Sequence, residues 1–226
     1  GNIINKGTIS FTNEPQPDYQ YLTDQGAVSL FMKGNSNNKM KLNGTTDLYN
    51  LVVDKGSDKT YQLRIISSDV SNFRLFGVNG ANYGSTGDPF SSANPELRKS
   101  LWIRNGTLRL QGNIFIPTLT EDHDSGWDSD YYIPASARMW LDGPGVTVHN
   151  TAYQDSETTV GGVTGTNVVN SGGAESFSLY GTFRITQGDF NSGSHGFVYW
   201  VQSQAEIIVE GGYVNAPGIR AAGESN

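Results

Sequence analysis

The sequence lacks several features that would point to common classes of protein. It contains no cysteine, which excludes disulfides, cysteine-ligated zinc sites and thiol catalysis. Its 15 Lys and Arg residues are outnumbered by 22 Asp and Glu, and the net charge of -7 disfavours nucleic acid as a partner. No apolar run approaches the roughly 18 residues of a membrane span, and the first residues lack the basic and apolar regions of a signal peptide. We therefore expect a soluble chain from which any export signal has been removed.

The residues that are abundant favour strands joined by many turns. The chain of 226 residues contains 28 glycines, while charged residues make up only 16%. Apolar and polar residues alternate in short stretches bounded by Gly and Asn, such as TISF (8–11) and YQLRI (61–65). This period of two is typical of half-buried strands. We expect an all-β single domain over residues 1–226, which is also compatible with an excerpt of a longer protein.

A unit of strand, glycine-containing turn and second strand recurs along the second half of the chain. It is found in SLWIRNGTLRLQGN (100–113), RMWLDGPGVTVHN (138–150), SFSLYGTFRITQGD (176–189) and, more weakly, EIIVEGGYVNAPG (206–218). When the units are aligned on the middle of the first strand, Trp102 and Trp140 occupy equivalent positions. The second strands then align Leu108 with Val146 and Phe183.

Such a unit cannot bury its apolar side alone, so it must stack on neighbouring copies. The pattern predicts a parallel β-helix, or β-solenoid, in which the three units at 100–113, 138–150 and 176–189 form successive coils. The unequal intervals predict inserted loops at 116–133 and 150–173. A β-sandwich or jelly roll, which also has short strands at regular spacing, is the alternative fold.

The repeats and the segment DLYNLVVDKG (47–56) resemble the right-handed parallel β-helix repeats of bacterial secreted and cell-surface proteins. That group includes adhesin-like chains, and its superfold also includes pectate-lyase-like enzymes. The resemblance implies a right-handed solenoid and a location outside the cell or on the bacterial cell surface. It does not assign a chemistry, because one fold supports many functions.

Five acidic residues fall within ten positions in TEDHDSGWDSD (120–130). Asp122, Asp124, Asp128 and Asp130 around a glycine are raw material for a calcium site, since calcium prefers several carboxylate oxygens on a tight loop. The stretch departs from the EF-hand pattern, and the calcium-binding nonapeptide repeat of other β-rolls is missing. We expect a hydrated loop and no cofactor, with calcium as the ion to test and a functional acid pair as the third alternative.

The aromatic residues provide the main indication of a ligand. Trp102 and Trp140 each stand between two apolar residues, so both are predicted on the outward side of a strand. Exposed indoles suit the C–H faces of sugars, and Trp127 and Tyr131 could extend the same surface. The competing interpretation is that both tryptophans are buried under inserted loops.

These observations favour a non-enzymatic extracellular or cell-surface β-helix module with a structural or adhesive role and contact with a polysaccharide or host glycan. The alternative is a carbohydrate-active enzyme on the same scaffold, either a polysaccharide lyase or a glycoside hydrolase. A lyase could use Arg109, Arg138 or Arg184, although surface roles are more economical for Arg109 and Arg184. A jelly-roll lectin would keep sugar binding without the solenoid.

Overall fold

A computed structural model describes residues 1–12, 28–76, 100–116, 119, 131–150, 158–160, 163–165, 176–191, 197–201, 205–216 and 219–221. Within these segments the chain is all-β, and its helical structure is one 3-10 turn at Val70–Asn72. The first nine strands are β1 (Ile3–Asn5), β2 (Ile9–Phe11), β3 (Ser29–Lys33), β4 (Asn38–Leu42), β5 (Thr46–Leu48), β6 (Asn50–Asp54), β7 (Gln62–Ser67), β8 (Arg74–Leu75) and β9 (Leu101–Ile116).

The second half of the chain contributes ten further strands. They are β10 (Tyr131–Ile133), β11 (Ala137–His149), β12 (Thr158–Val160), β13 (Val163–Gly165), β14 (Ser176–Leu179), β15 (Thr182–Asn191), β16 (Phe197–Val201), β17 (Glu206–Val209), β18 (Tyr213–Asn215) and β19 (Ile219–Ala221). The β12–β13 pair is an antiparallel hairpin within the predicted insertion at 150–173. No helix in the described segments has the length and hydropathy needed to cross a membrane.

Parallel pairing dominates the architecture. The central path of the largest sheet runs in the order β1-β4-β7-β9-β11-β15-β17, and two smaller parallel sheets have the orders β10-β14-β16-β19 and β2-β5-β8. Neighbours in these sheets are separated by other elements along the chain. The chain therefore leaves each sheet after one strand and returns to it in the same direction, an arrangement compatible with a β-helix or solenoid.

Inward side chains of neighbouring strands stack in rows that form the core. One row contains Leu63, Leu108, Met139 and Phe183, and the next contains Ile65, Leu110, Leu141 and Ile185. All eight residues are buried, and the residues between them along each strand are more exposed. Each fully buried aliphatic or aromatic side chain stabilises the fold by about 1.5–3 kcal/mol, so these rows provide the main attraction between strands.

Glycines allow close approach of the backbone where the chain turns between faces. Gly188 has a φ of +105°, and a Cβ atom placed on it would lie 2.6 Å from the carbonyl oxygen of Val146 and 2.9 Å from that of Gly143. A side chain at this position would have to push neighbouring backbone away. The close approach accounts for part of the glycine content of the sequence.

The prediction of an all-β chain whose units stack as parallel strands is confirmed. Leu108, Val146 and Phe183 lie in β9, β11 and β15, which are three consecutive neighbours in the sheet. The predicted register between them is wrong: Leu108 pairs with Met139, and Met139 pairs with Phe183, whereas Val146 pairs with Ile114. The large sheet is parallel throughout, unlike the antiparallel sheets of a sandwich or jelly roll.

Candidate functional site

The outward side of the large sheet carries a row of basic and aromatic side chains. Backbone pairing aligns six residues, one from each of six neighbouring strands: Lys39, Arg64, Arg109, Trp140, Arg184 and Ile208. All six are partly exposed, and the first five each have a buried residue on at least one side in their strand. We call this set the outward row.

The indole of Trp140 lies between two guanidinium groups. The central carbon of Arg109 is 3.9 Å from the ring centroid, and that of Arg184 is 4.3 Å from it. Because the two arginines belong to strands on either side of Trp140, they cover opposite faces of the ring. The indole Nε1 also donates a hydrogen bond of 3.0 Å to the hydroxyl of Thr186. Cation–π contacts and this hydrogen bond therefore hold the ring in place.

Asp142 is the hub of a polar network beside this aromatic contact. Its Oδ2 accepts hydrogen bonds from Arg109 Nε at 2.7 Å and from Gln111 Nε2 at 2.6 Å, and it lies 2.5 Å from Arg109 Nη2. Its Oδ1 accepts from the Thr186 hydroxyl at 2.5 Å. Burial by itself would raise the pKa of Asp142, but the hydrogen bonds from Thr186, Arg109 and Gln111, together with the charge of Arg109, lower it overall. The carboxylate is thus kept ionised, and both of its oxygens accept hydrogen bonds.

The basic residues of this face differ in how their charge is balanced. Arg109 is paired with Asp142, and Arg184 donates from Nε to Glu210 at 2.6 Å. Within the described part of the chain, Lys39, Lys41 and Arg64 form no ion pair with any acidic residue. Positive charge is therefore left unbalanced over β4 and β7.

Arg138 lies on the same outward side as Trp140, two residues earlier in β11. Its Nε is buried and has no hydrogen-bond partner in the described structure. Backbone pairing places Arg138 between Thr107 and Thr182. The arginines proposed from the sequence as lyase residues thus lie on one face, but Arg109 and Arg184 are bound to carboxylates there.

Trp102 and Trp140 do not occupy equivalent positions, so the predicted alignment of the two is wrong. Trp102 pairs with Val52, which in turn pairs with Phe31, on strands β9, β6 and β3. Trp140 instead pairs with Arg109. Trp102 and Phe31 therefore lie on the same side of these strands. They are two strands apart, and the buried Val52 lies between them.

Tyr131 belongs to the core instead of an exposed aromatic surface. Its side chain is only 1% exposed, and its ring is stacked on that of Phe177 with 6.0 Å between centroids. Its hydroxyl donates to the carbonyl oxygen of Leu101 at 3.1 Å. A tyrosine next to an acidic loop looks exposed from sequence alone, but here β10 carries it into the stack through its parallel pairing with β14.

The acidic stretch that predicts calcium lies outside the described residues, as does Trp127. The roles of Asp122, Asp124, Asp128 and Asp130 therefore stay predictions. Elsewhere, in the segments that the structure describes, no group of three or more His, Asp or Glu side chains is arranged to hold a metal ion.

Sequence reasoning missed a buried lysine directly after β6. Lys55 is fully buried, and its Nζ donates to the carbonyl oxygen of Lys33 at 2.8 Å and to Asn38 Oδ1 at 2.6 Å. Burial lowers the pKa of Lys55, since the charged form loses its hydration. The Lys55-Gly56 pair looks like an ordinary turn in the sequence, so no local signal marks this role.

The outward row can present the positive charge of Lys39 and Arg64 to a ligand, while the Asp142 network holds Arg109 beside Trp140. Both features lie on the rigid strands of the sheet, where register determines the spacing of the side chains. Comparison of the chain with protein families, with curated proteins and with solved structures gave no match.

Proposed function

We propose that this chain is a right-handed parallel β-helix module of an extracellular or bacterial cell-surface protein. In this proposal its role is structural and adhesive, and its outward face contacts a polysaccharide or a host glycan. The observation that carries the proposal is the in-register outward row, which repeats one surface position over six neighbouring strands.

A repeated rigid face suits binding to an extended polymer. Parallel strands lie about 4.8 Å apart, so side chains in register are presented at regular short intervals along the direction that crosses the strands. The contacts of Trp140 with Arg109 and Arg184 fix the middle of this face before any ligand arrives. Preorganised groups lose little side-chain entropy on binding, which favours contact with a flexible glycan.

The sequence predicts that a sugar stacks on the face of Trp140, but in this proposal the sugar contacts a different part of the residue. Because Arg109 and Arg184 cover the two faces of its ring, a sugar would contact the outer edge of the indole and the guanidinium groups beside it. Trp102 and Phe31, on the strands that flank β6, provide aromatic surface at a second place, where both align with Val52. Phe31 is 37% exposed.

The enzymatic alternative needs a group that exchanges a proton with the substrate. Asp142 is poorly suited to act as an acid, because Arg109, Gln111 and Thr186 all stabilise its ionised form. A hydrolase acting at this face would therefore need a proton donor other than Asp142. The binding role requires no such group.

A glycan array combined with a turnover assay tests the proposal. The purified chain is applied to an array of neutral and acidic glycans, and each bound polysaccharide is then incubated with it and analysed for new reducing ends and unsaturated products. We expect binding without products. Products would establish the enzymatic alternative, and an array without any bound glycan would remove the adhesive part of the proposal.

A further inference from the structure

The unbalanced positive charge over β4 and β7 has a specific arrangement. Lys39 and Arg64 are direct partners in the pairing of β4 with β7, and Arg64 is the direct partner of Arg109 in β9. Three cationic side chains thus occupy consecutive positions of the outward row. In the described residues Lys39 and Arg64 have no acidic partner, whereas Arg109 is paired with Asp142. Like charges at the spacing of adjacent strands repel one another, so a negatively charged group bound between them would be stabilised.

In the described segments no acidic residue forms an ion pair with Lys39, Lys41 or Arg64. The carboxylate of Asp142 is bound to Arg109, Gln111 and Thr186 instead. Lys39, Lys41 and Arg64 therefore form a local group of cations, although the chain as a whole has a net charge of -7.

A second row runs beside the first, two residues further along each strand. It contains Ile4, Lys41, Ile66 and Gln111, aligned by the pairing of β1, β4, β7 and β9. Ile4 is 60% exposed, and Ile66 is half-buried. Apolar side chains thus alternate with a cation and an amide next to the row of three cations.

We propose that these two rows bind a linear acidic glycan that crosses the strands. Its carboxylate or sulfate groups would pair with Lys39 and Arg64, and the C–H faces of its sugar rings would contact Ile4 and Ile66. The strand spacing of about 4.8 Å is close to the length of one sugar residue in an extended chain. This inference rests on the glycan contact in the proposed function and names its chemical class and place.

An acidic glycan fits these rows better than a nucleic acid does. Binding of single-stranded nucleic acid commonly relies on aromatic rings on which bases stack. The aromatic ring of the outward row, Trp140, has its faces covered by Arg109 and Arg184. The apolar groups beside the three cations are isoleucines, which suit the C–H groups of sugars but do not provide a stacking platform.

The test compares polymers that differ in charge but share a backbone. Alginate and its methyl ester probe carboxylates, dextran sulfate and dextran probe sulfates, and oligo-dT probes a phosphate polymer. Binding to the wild-type chain is measured by calorimetry with a chelator present, so that calcium does not contribute. The double variant Lys39→Gln/Arg64→Gln removes two cations of the outward row. The control variant Lys33→Gln/Arg104→Gln also removes two cations. They lie in β3 and β9, in the part of the sheet where both strands pair with β6.

We expect alginate or dextran sulfate to bind while its uncharged counterpart does not, and the charged polymer that binds identifies the acid group. The outward-row variant should weaken binding about tenfold, the size expected for two exposed charge contacts, and the control should keep it. Added salt should weaken binding to the wild type, since screening shortens the range of these contacts.

Some results would overturn the inference while leaving the proposed function in place. These are equal binding of a charged polymer and its uncharged counterpart, an equal loss of binding in both double variants, and the binding of neutral glycans alone. Binding of oligo-dT as tight as that of the acidic glycans would also overturn it, because the face would then recognise any polyanion. Absence of binding to every glycan, charged or neutral, would instead remove the glycan contact from the proposed function as well.

Discussion

Arg109 and Trp140 are direct partners in adjacent parallel strands, and the guanidinium carbon of Arg109 lies 3.9 Å from the centre of the indole ring. The same guanidinium is held by the carboxylate of Asp142. One arginine thus links the aromatic and the ionic part of the outward face, and both depend on the register between β9 and β11. A shift by one residue would turn these side chains toward the core.

Replacing Trp140 with leucine should lower the free energy of unfolding by about 2–3 kcal/mol, the combined scale of two cation–π contacts and one hydrogen bond. The variant Trp140→Phe keeps a ring between Arg109 and Arg184 and loses the hydrogen bond to Thr186, so its cost should be smaller. Urea unfolding of both variants and the wild type measures the difference. Equal losses for the two variants would mean that the ring faces contribute little.

Replacing Asp142 with asparagine should destabilise the fold by about 2 kcal/mol at neutral pH, because Arg109 loses its ionised partner. The pKa of Asp142 is lowered in the folded state, so its contribution is present above the unfolded pKa and is lost as the pH falls through the folded pKa. The stability difference between wild type and Asp142→Asn should therefore shrink in acid.

The control for this prediction is Asp189→Asn, which changes an exposed carboxylate on β15. Unfolding curves of the three proteins, recorded from neutral pH to below the ordinary pKa of an aspartate, provide the comparison. A difference that stays constant across this range would show that hydrogen bonding, and not the charge of Asp142, provides its stabilisation.

The sequence is sufficient to predict the strands and their stacking, because alternation of apolar and polar residues is a local signal. It could not predict the register, since glycine occurs at two different corners where a long strand changes its pairing partners. Gly106 marks the corner between the part of β9 that pairs with β6 and the part that pairs with β7. Gly143 and Gly145 lie at the next corner, and alignment of these turns with Gly106 puts Trp102 opposite Trp140.

The candidate site is predicted only in part for the same reason. The alternation correctly predicts Trp140, Arg109 and Arg184 as outward residues, yet their contact depends on strand neighbours that are 31 and 44 residues apart in the chain. The role of Asp142 depends on Gln111 and Thr186, which are 31 and 44 residues from it. Short-range patterns carry no information on such pairs.

Replacing Gly188 with alanine should destabilise the fold by about 3 kcal/mol, because the added Cβ meets the backbone of the adjacent strand and φ is positive. Gly34 is a matched control, since its φ of +97° is similar but a Cβ added there would meet nothing within 4 Å beyond its chain neighbours. Gly34→Ala should therefore show the conformational strain alone, about 1 kcal/mol. Equal unfolding midpoints for the two variants would contradict the close packing at Gly188.

Replacing Lys55 with methionine removes a buried cation while keeping most of the volume of its side chain. The carbonyl oxygen of Lys33 and the amide oxygen of Asn38 both lose a hydrogen-bond donor, which should cost about 1–3 kcal/mol at neutral pH. Part of this cost is offset, because the wild-type protein must desolvate a charge that the variant lacks. Urea unfolding at neutral pH measures the net effect.

The pH dependence separates the charge of Lys55 from its hydrogen bonds. Burial lowers the pKa of Lys55 in the folded state, so between the folded and the unfolded pKa the unfolded chain binds more protons. The stability contributed by Lys55 therefore increases as the pH rises through this window toward the ordinary pKa of a lysine, and it is constant at its lowest value below the folded pKa. Other groups titrate in the same range, so the quantity to follow is the difference between wild type and Lys55→Met. That difference should move in favour of the wild type with rising pH, and a difference independent of pH would show that Lys55 keeps its charge as easily in the folded protein as in water.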